Sequence, residues 1–483
     1  MDPPSIDDRH TPSTRTTADG SEAAIANSEV NIPDLSLLQE ILILTVTLLA
    51  QLFARAGLSQ SIAPINYIGA TFGTTDPTET LWFPAAFSLT AGTFILVAGG
   101  IGDIIGHREL FIGGLGWFAG MAAAVLTPTG LAILGSIYKP GTRKNKVFSI
   151  FGAAAPNGFV LGALFASLLA ELAWWPWAYW IMAILCALLA AVLLVVLPDL
   201  RHPSECQSFD YAGAISALVG LTLFNVALNQ APSAGWSLPY VILLLVLGIA
   251  SGVLFFFIEQ RVRRPLIPVK QMSSESLYVL GCIALGWSSF GIWLFYPWEF
   301  LETLRRVSPL EATAQIVPGS ITGLAAALMT GFLLGRVRKP YIMIAALLSF
   351  CAGNVILATM PVHQSYWLQA FWSVIIMPFG MDLSFPTATV IMSDLVPRSH
   401  QAVAASTIAA TVNYSISVGL GIAGTVEAYV AAGDVLRGFR GAWYSAIGLS
   451  GCGIVLAVIY KFKTRAGAKS KVPPGGMQDV QPV

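Results

Sequence analysis

Long apolar stretches recur along almost the whole chain, and they constrain its fold more than any other feature. Each is about 18 residues or longer, the length that an α-helix needs to cross a hydrocarbon core of about 30 Å. Inside a bilayer the backbone must satisfy its own hydrogen bonds, so such stretches form helices. Only 11% of the 483 residues are charged, against about a quarter in soluble domains. The sequence therefore predicts an all-α polytopic membrane protein.

Thirteen candidate spans can be delimited, and the charges between them predict their orientation. The spans are residues 41–67, 81–101, 110–138, 147–171, 177–197, 211–231, 237–258, 276–298, 313–335, 341–360, 366–393, 403–427 and 441–461. From Lys139 onward, Lys and Arg concentrate in every second loop. The positive-inside rule places those loops, and both chain ends, in the cytoplasm.

The stretch 110–138 conflicts with this orientation, because basic clusters flank it on both sides. Its roughly thirty apolar residues make one comfortable helix of about 45 Å, or two that are each too short. A re-entrant hairpin would keep both flanks inside, and a tilted helix beside a span that fails to insert is another option. The alanines at 122–124 favour a continuous helix. We therefore predict one continuous or Pro128-kinked span, with residues 1–108 oriented opposite to the expected arrangement.

Polar markers repeat between the two ends of the chain. Asn157 and Glu171 are fourteen positions apart in a span rich in Gly and Ala, and so are Asn413 and Glu427. Chance similarity between apolar segments is the alternative explanation. The repeat predicts two related helix bundles.

The spacing of the markers indicates that the first copy is short. From Gly331 to Pro386 the second copy spans 55 positions, whereas the first copy spans only 29 from Gly99 to Pro128. The difference is about 26 residues, enough for the end of one helix, a loop and the start of another. A fourteen-span architecture would thereby be reduced to thirteen.

A loop motif follows the second span, with the pattern Gly-x-x-x-Asp-x-x-Gly-His-Arg. Its key residues are Gly99, Asp103, Gly106 and Arg108. The glycines permit a tight turn and a close helix approach. A carboxylate at a helix end can meet a neighbouring helix N-terminus or a basic side chain. A featureless loop between two spans is the alternative.

Together with four longer stretches, this motif resembles the major facilitator superfamily, in the fourteen-span drug:proton antiporter type of fungi. The stretches are LAQLFARAGLSQSIAPINYIG, LGWSSFGIWLFYPW, PFGMDLSFPTATVIMSD and VNYSISVGLGIAGTVE. The resemblance runs from Leu37 to Phe462 and is strongest with the aminotriazole-resistance and low-affinity ammonium branch. It implies that the loop motif acts as a conformational latch, although His107 replaces the usual Arg. The fourth-span motif of the family is absent, and its fifth-span antiporter motif is degraded.

The resemblance also implies the domain organisation. The predicted parts are a disordered cytoplasmic tail (1–36), an incomplete N-terminal bundle (37–203), a two-helix central insert (204–265), a C-terminal bundle (266–465) and a second disordered cytoplasmic tail (466–483).

Ionisable groups inside spans are the candidate transport residues, because each costs roughly 2.5–3.5 kcal/mol on insertion scales and so faces a cavity or a partner. Asp382 and Arg55 lie near the middle of their spans. We predict that they handle protons and substrate and are electrostatically linked, and a purely structural Arg–Asp pair is the alternative. Further cavity-lining candidates are Gln51, Ser59, Asn66, Asn157 and Asn413.

Other function classes lack the residues that they need. The chain has no catalytic, metal-binding or phosphate-binding motif, so we predict no enzyme activity, no metal and no cofactor. The leading prediction is a monomeric secondary transporter that exports a small organic toxin, drug or secondary metabolite in exchange for protons. The alternatives are transport of a small inorganic species such as ammonium, or a truncated family member that does not transport. The expected partners are substrate, protons and lipid, without nucleic acid, and the plasma membrane is favoured over the vacuolar membrane.

Overall fold

The computed structural model describes residues 36–74, 76–116, 119–138, 142–198, 209–262, 265–267, 269–396 and 401–470. Within these ranges, thirteen helices are long and apolar enough to cross a membrane. The all-α fold class and the number of spans are therefore confirmed. Most of both predicted tails, residues 1–35 and 471–483, lies outside the described residues.

The N-terminal bundle begins at a capped helix end. Ser36 Oγ accepts a hydrogen bond from the backbone N–H of Gln39, and Gln39 Oε1 accepts one from the backbone N–H of Ser36, which together form a capping box. The helices that follow are α1 (Leu37–Ile62), α2 (Ile65–Phe72), α3 (Pro77–Thr80), α4 (Trp82–Ile105), α5 (His107–Gly114), α6 (Ala119–Ile137), α7 (Thr142–Leu172) and α8 (Pro176–Val196).

The rest of the chain forms the insert and the C-terminal bundle. The insert consists of α9 (Tyr211–Ala234) and α10 (Pro239–Glu259); the C-terminal bundle contains α11 (Ser274–Glu299), a π-helical turn (Phe300–Leu304), α12 (Pro309–Leu334), α13 (Lys339–Ala358), α14 (Ala370–Leu395), α15 (Gln401–Val430) and α16 (Val435–Ser470). Several of these helices start with proline at the first turn, where its missing N–H costs nothing. The last helix, α16, extends to Ser470, and the predicted domain boundaries stay predictions.

Two helix pairs join the bundles: α4 packs against α15, and α7 packs against α12. The first contact depends on a glycine, since a Cβ atom on Gly92 would lie 2.5 Å from the backbone nitrogen of Tyr414. Small residues allow membrane helices to approach this closely. The insert is attached at the same place, because α9 packs against both α4 and α15.

An ion pair brings the start of α7 back to the start of α1, with Arg143 Nη2 2.7 Å from Glu40 Oε1. Tyr138 lies beside them, and burial together with the hydrogen bond and charge of Glu40 raises the pKa of Tyr138 to about 12. We call this end of the molecule the inner end, because the positive-inside rule assigns it to the cytoplasm. The opposite end is the outer end.

The stretch 110–138 is not one helix. Gly114 lies against Val125, and Gly130 lies against the ring of Phe111, so α5 and α6 run antiparallel as a hairpin. The prediction of one continuous or Pro128-kinked span is therefore wrong. Both flanks of the hairpin lie at the inner end in this structure, whereas the orientation of residues 1–108 in a membrane stays a prediction.

The helix breaks at a cluster of glycines rather than at the proline. Gly113, Gly114 and Gly116 surround the turn, where glycine destabilises a helix interior, whereas Pro128 lies inside α6. With eight residues, α5 is about 12 Å long and reaches less than half of the hydrocarbon core. It is therefore the stub of a shortened span.

Candidate functional site

Four hydrogen bonds join the two bundles at the outer end, and three of them end on a carboxyl group. They run from Asn66 Nδ2 to Glu302 Oε2 (2.8 Å), from Thr80 Oγ1 to Glu299 Oε1 (3.2 Å), from Leu310 N to Glu171 Oε1 (2.7 Å) and between the hydroxyls of Ser167 and Thr313 (2.8 Å). We call these residues the outer gate. They close the outer end in this conformation.

Two of the three acids of the gate are deeply buried, and Glu171 is half-buried. Glu299 is 2% exposed and Glu302 is 9% exposed. A further buried acid, Glu427, accepts a hydrogen bond of 2.7 Å from the hydroxyl of Tyr296. Among the described residues, no ion pair reaches any of these three carboxyl groups. An uncompensated buried charge is strongly destabilising, so these groups need another source of neutralisation.

The nearest arginine in sequence does not supply it. Arg305 donates to the carbonyl of Pro361 at 3.3 Å and lies over the ring of Phe300, 5.1 Å from its centroid. Its partial burial lowers the pKa of Arg305. Glu302 is left with one oxygen, Oε1, that has no hydrogen-bond partner among the described residues.

Sequence reasoning missed Glu299 and Glu302 because the predicted span stopped at residue 298. In the structure the helix continues through the π-helical turn to Leu304. The apolar run does extend beyond residue 298, and acids three positions apart share one helix face. That spacing could have identified Glu299 and Glu302 from the sequence. Glu171 and Glu427 were recognised only as markers of the repeat.

Asp382 and Arg55 are not paired. Both are described and only partly buried, no ion pair joins them, and Arg55 Nε has no hydrogen-bond partner. Asp382 faces α12 instead, with Oδ2 3.4 Å from the place of a Cβ on Gly323. The predicted link, and the alternative of a self-satisfying structural pair, are not realised in this conformation.

The five cavity-lining candidates are dispersed. Gln51 is buried and accepts a hydrogen bond of 2.9 Å from Thr127 on α6, and Ser59 is buried beside α7. Asn413 is buried and donates to a carbonyl of its own helix. Protein packing surrounds these three residues in this conformation, and a cavity-lining role for them stays a prediction. Asn66 belongs to the outer gate, and Asn157 is the exposed member of the five.

The loop motif connects helices within the N-terminal bundle. Gly106 joins α4 to α5 with a φ of 111°, a conformation that glycine adopts readily. Arg108 donates to the carbonyls of Leu197 (2.8 Å) and Leu194 (3.1 Å) at the end of α8, a favourable place for a cation. The side chain of Asp103 lies outside the described structure, and Gly99 has open space beside it. A latch role for the motif stays a prediction.

Comparisons with known proteins agree with this architecture. Residues 115–263 and 277–477 match the model of the Major Facilitator Superfamily. The chain is 47% identical to the low affinity ammonium transporter of Saccharomyces cerevisiae, over 92% of this chain and 93% of that one. It is 41% identical to the efflux pump terJ of Aspergillus terreus, over 88% of each. A peptide transporter POT solved with sulfate has a TM-score of 0.63 at 16% identity, covering 88% and 94%, which shows the fold alone.

The first of these alignments also bears on the missing residues. It is 481 positions long, yet it takes in only 92% of the 483 residues. The yeast relative therefore has positions that this chain lacks, in keeping with the stub at α5.

Proposed function

The chain belongs to the Major Facilitator Superfamily, and from this premise we propose that it exports a small organic toxin, drug or secondary metabolite in exchange for protons. The observation that supports proton exchange is the set of buried acids without a basic partner, above all Glu299, Glu302 and Glu427. Intramembrane acids of this kind are typical of proton relays. The efflux pump terJ, at 41% identity, supports export.

Asp382 is the proposed coupling residue in the membrane. It lies in α14 and faces α12, which carries part of the contact between the bundles. Since the outer gate is closed, substrate can reach this region only from the inner end in this conformation. Exchange of one proton for one substrate at Asp382 would link export to the proton gradient.

The test is Asp382→Asn in sealed vesicles, with ethidium as the transported probe and a pH-sensitive dye to follow protons. The variant should insert and remain folded, yet show no probe-driven proton movement. Asp394→Asn is the matched control, because Asp394 lies on the same helix but is exposed and paired with Lys339. Full pH-dependent transport by Asp382→Asn would contradict the coupling role.

A second candidate function is transport of ammonium, supported by the 47% identity to the low affinity ammonium transporter over nearly the whole of both chains. Uptake of labelled methylammonium by the same vesicles tests it. If neither probe moves, the remaining alternative is a family member inactivated by the short α5.

Two finer proposals accompany these: the plasma membrane as location, tested with a fluorescent fusion, and a monomeric state, tested by the mass of the purified protein.

A further inference from the structure

We propose that Glu302 is a proton-binding site that controls the outer gate, so that a bound proton permits the two bundles to close over it. This inference deepens the proposed function and rests on it, since it names a second place where the coupling proton is held. Water at the outer end supplies the proton to Glu302 Oε1 before the gate closes, and the proton must leave this oxygen before the gate opens again.

The geometry around Glu302 is that of a half-satisfied carboxyl group. Its Oε2 accepts the hydrogen bond from Asn66 Nδ2 across the two bundles, whereas Oε1 is buried without a partner. Burial of an unpaired charged oxygen is costly, and a proton on Oε1 removes the charge while leaving the bond to Asn66 intact. The π-helical turn that carries Glu302 is a distortion often found at functional sites.

The groups that face Glu302 come from several elements, and the acids predominate. Glu299 lies one turn earlier on its own helix, and Glu171 lies close to it from the end of α7. Glu427 of α15 extends the acidic cluster, because both Glu299 and Asp76, which lies before α3, are close enough to act on its charge. Like charges this close disfavour each other's ionisation, so a fully ionised gate is pushed apart and a proton relieves the repulsion.

The neutral and basic neighbours do not remove this repulsion. Tyr296 and Thr80 are hydrogen-bond donors without charge, and Arg305 points to Pro361. A metal ion is a poor alternative occupant, because no group of three or more metal-ligating side chains occurs in the described part of the chain. A proton needs only the one free oxygen.

The experiment follows opening of the gate without any substrate. Ser167 is fully buried between the bundles, so Ser167→Cys reports opening through its reaction with an impermeant maleimide added outside right-side-out vesicles. The background has all five native cysteines replaced. Leu172→Cys, exposed at the end of the same helix, gives the reference rate that corrects for thiol ionisation.

Across roughly pH 5 to 9 outside, the corrected labelling rate of Ser167→Cys should rise with pH, by up to about tenfold per pH unit for one linked proton. In Glu302→Gln, which mimics the protonated acid, the rate should stay low at every pH. Glu79→Gln is the matched control, since Glu79 lies exposed at the same end, and it should behave as the parent. Should Glu302→Gln fail to insert, Asn66→Ala provides a second test, with faster labelling at each pH.

A pH-independent rate in the parent overturns the proposal, and so does an unchanged pH response in Glu302→Gln. In the Asn66→Ala test, labelling equal to that of the parent overturns it as well. None of these results depends on Asp382 or on a substrate, so the transport proposal is judged separately by its own vesicle measurement.

Discussion

Arg143 at the start of α7 forms a 2.7 Å ion pair with Glu40 at the start of α1, 103 positions earlier in the chain. The two helices therefore begin at the same end of the molecule, which requires an even number of crossings between α4 and α7. The hairpin of α5 and α6 meets this requirement by returning the chain to the inner end, and α5 is too short to be a full span. An exposed ion pair of this kind contributes only about 0–1 kcal/mol to folding stability. Its significance here is that it fixes which helix ends lie together.

The hairpin predicts that both ends of the chain lie in the cytoplasm. Single cysteines at Ser13→Cys and Ser470→Cys should be labelled only after the membrane is permeabilised, because the even number of crossings returns both ends to the inner side. Labelling with an impermeant reagent in intact cells measures this, and Leu172→Cys serves as the outward control. Labelling of Ser13→Cys in intact cells would mean that 110–138 crosses only once.

Arg55 and Asp382 should contribute independently to stability, because no ion pair joins them in this conformation. We expect the effects of Arg55→Gln and Asp382→Asn on the free energy of unfolding to add within about 0.5 kcal/mol. A double-mutant cycle from thermal unfolding in detergent measures the coupling. A coupling energy well above that value would show that the two charges attract each other across the bundle.

Gly92 and Gly99 lie on the same helix but should respond differently to substitution by alanine. A Cβ on Gly92 would meet the backbone of Tyr414 at 2.5 Å, so Gly92→Ala should destabilise the protein by about 1–3 kcal/mol through overpacking. Gly99 has nothing within 4 Å, and Gly99→Ala should change stability by no more than about 0.5 kcal/mol. Thermal unfolding compares the two, and equal losses would contradict the close approach of α4 and α15.

Lengthening the stub at α5 should stabilise the N-terminal bundle. Inserting the corresponding residues of the yeast relative between Gly116 and Ala119 would let two full-length spans form, with more buried backbone and packing. We expect a higher melting temperature and faster probe transport than in the parent. An insertion of the same length made of Gly and Ser is the control. A gain in melting temperature or transport with this linker would indicate that the length of the connection, and not the missing helix, limits the bundle.

The sequence by itself determined the all-α fold, the thirteen spans and the family. These features are local, since the length of an apolar run decides whether a helix can cross a bilayer. The comparisons confirm the family resemblance, which rested on short motifs. The spacing of the markers also predicted a missing segment, because the first copy of the repeat is shorter than the second copy. The predicted domain boundaries remain predictions.

The tertiary structure alone decided which polar groups matter and where the chain turns. Gln51 and Ser59 form one polar stripe in the sequence, but hydropathy does not tell whether a stripe faces a cavity or another helix. The antiparallel pairing of α5 with α6 depends on packing of Gly114 against Val125 and of Gly130 against Phe111, whereas the alanines at 122–124 lie inside α6. Asn66 and Glu302 are 236 positions apart, and they meet only because the two bundles close at the outer end, a relationship that no local pattern encodes.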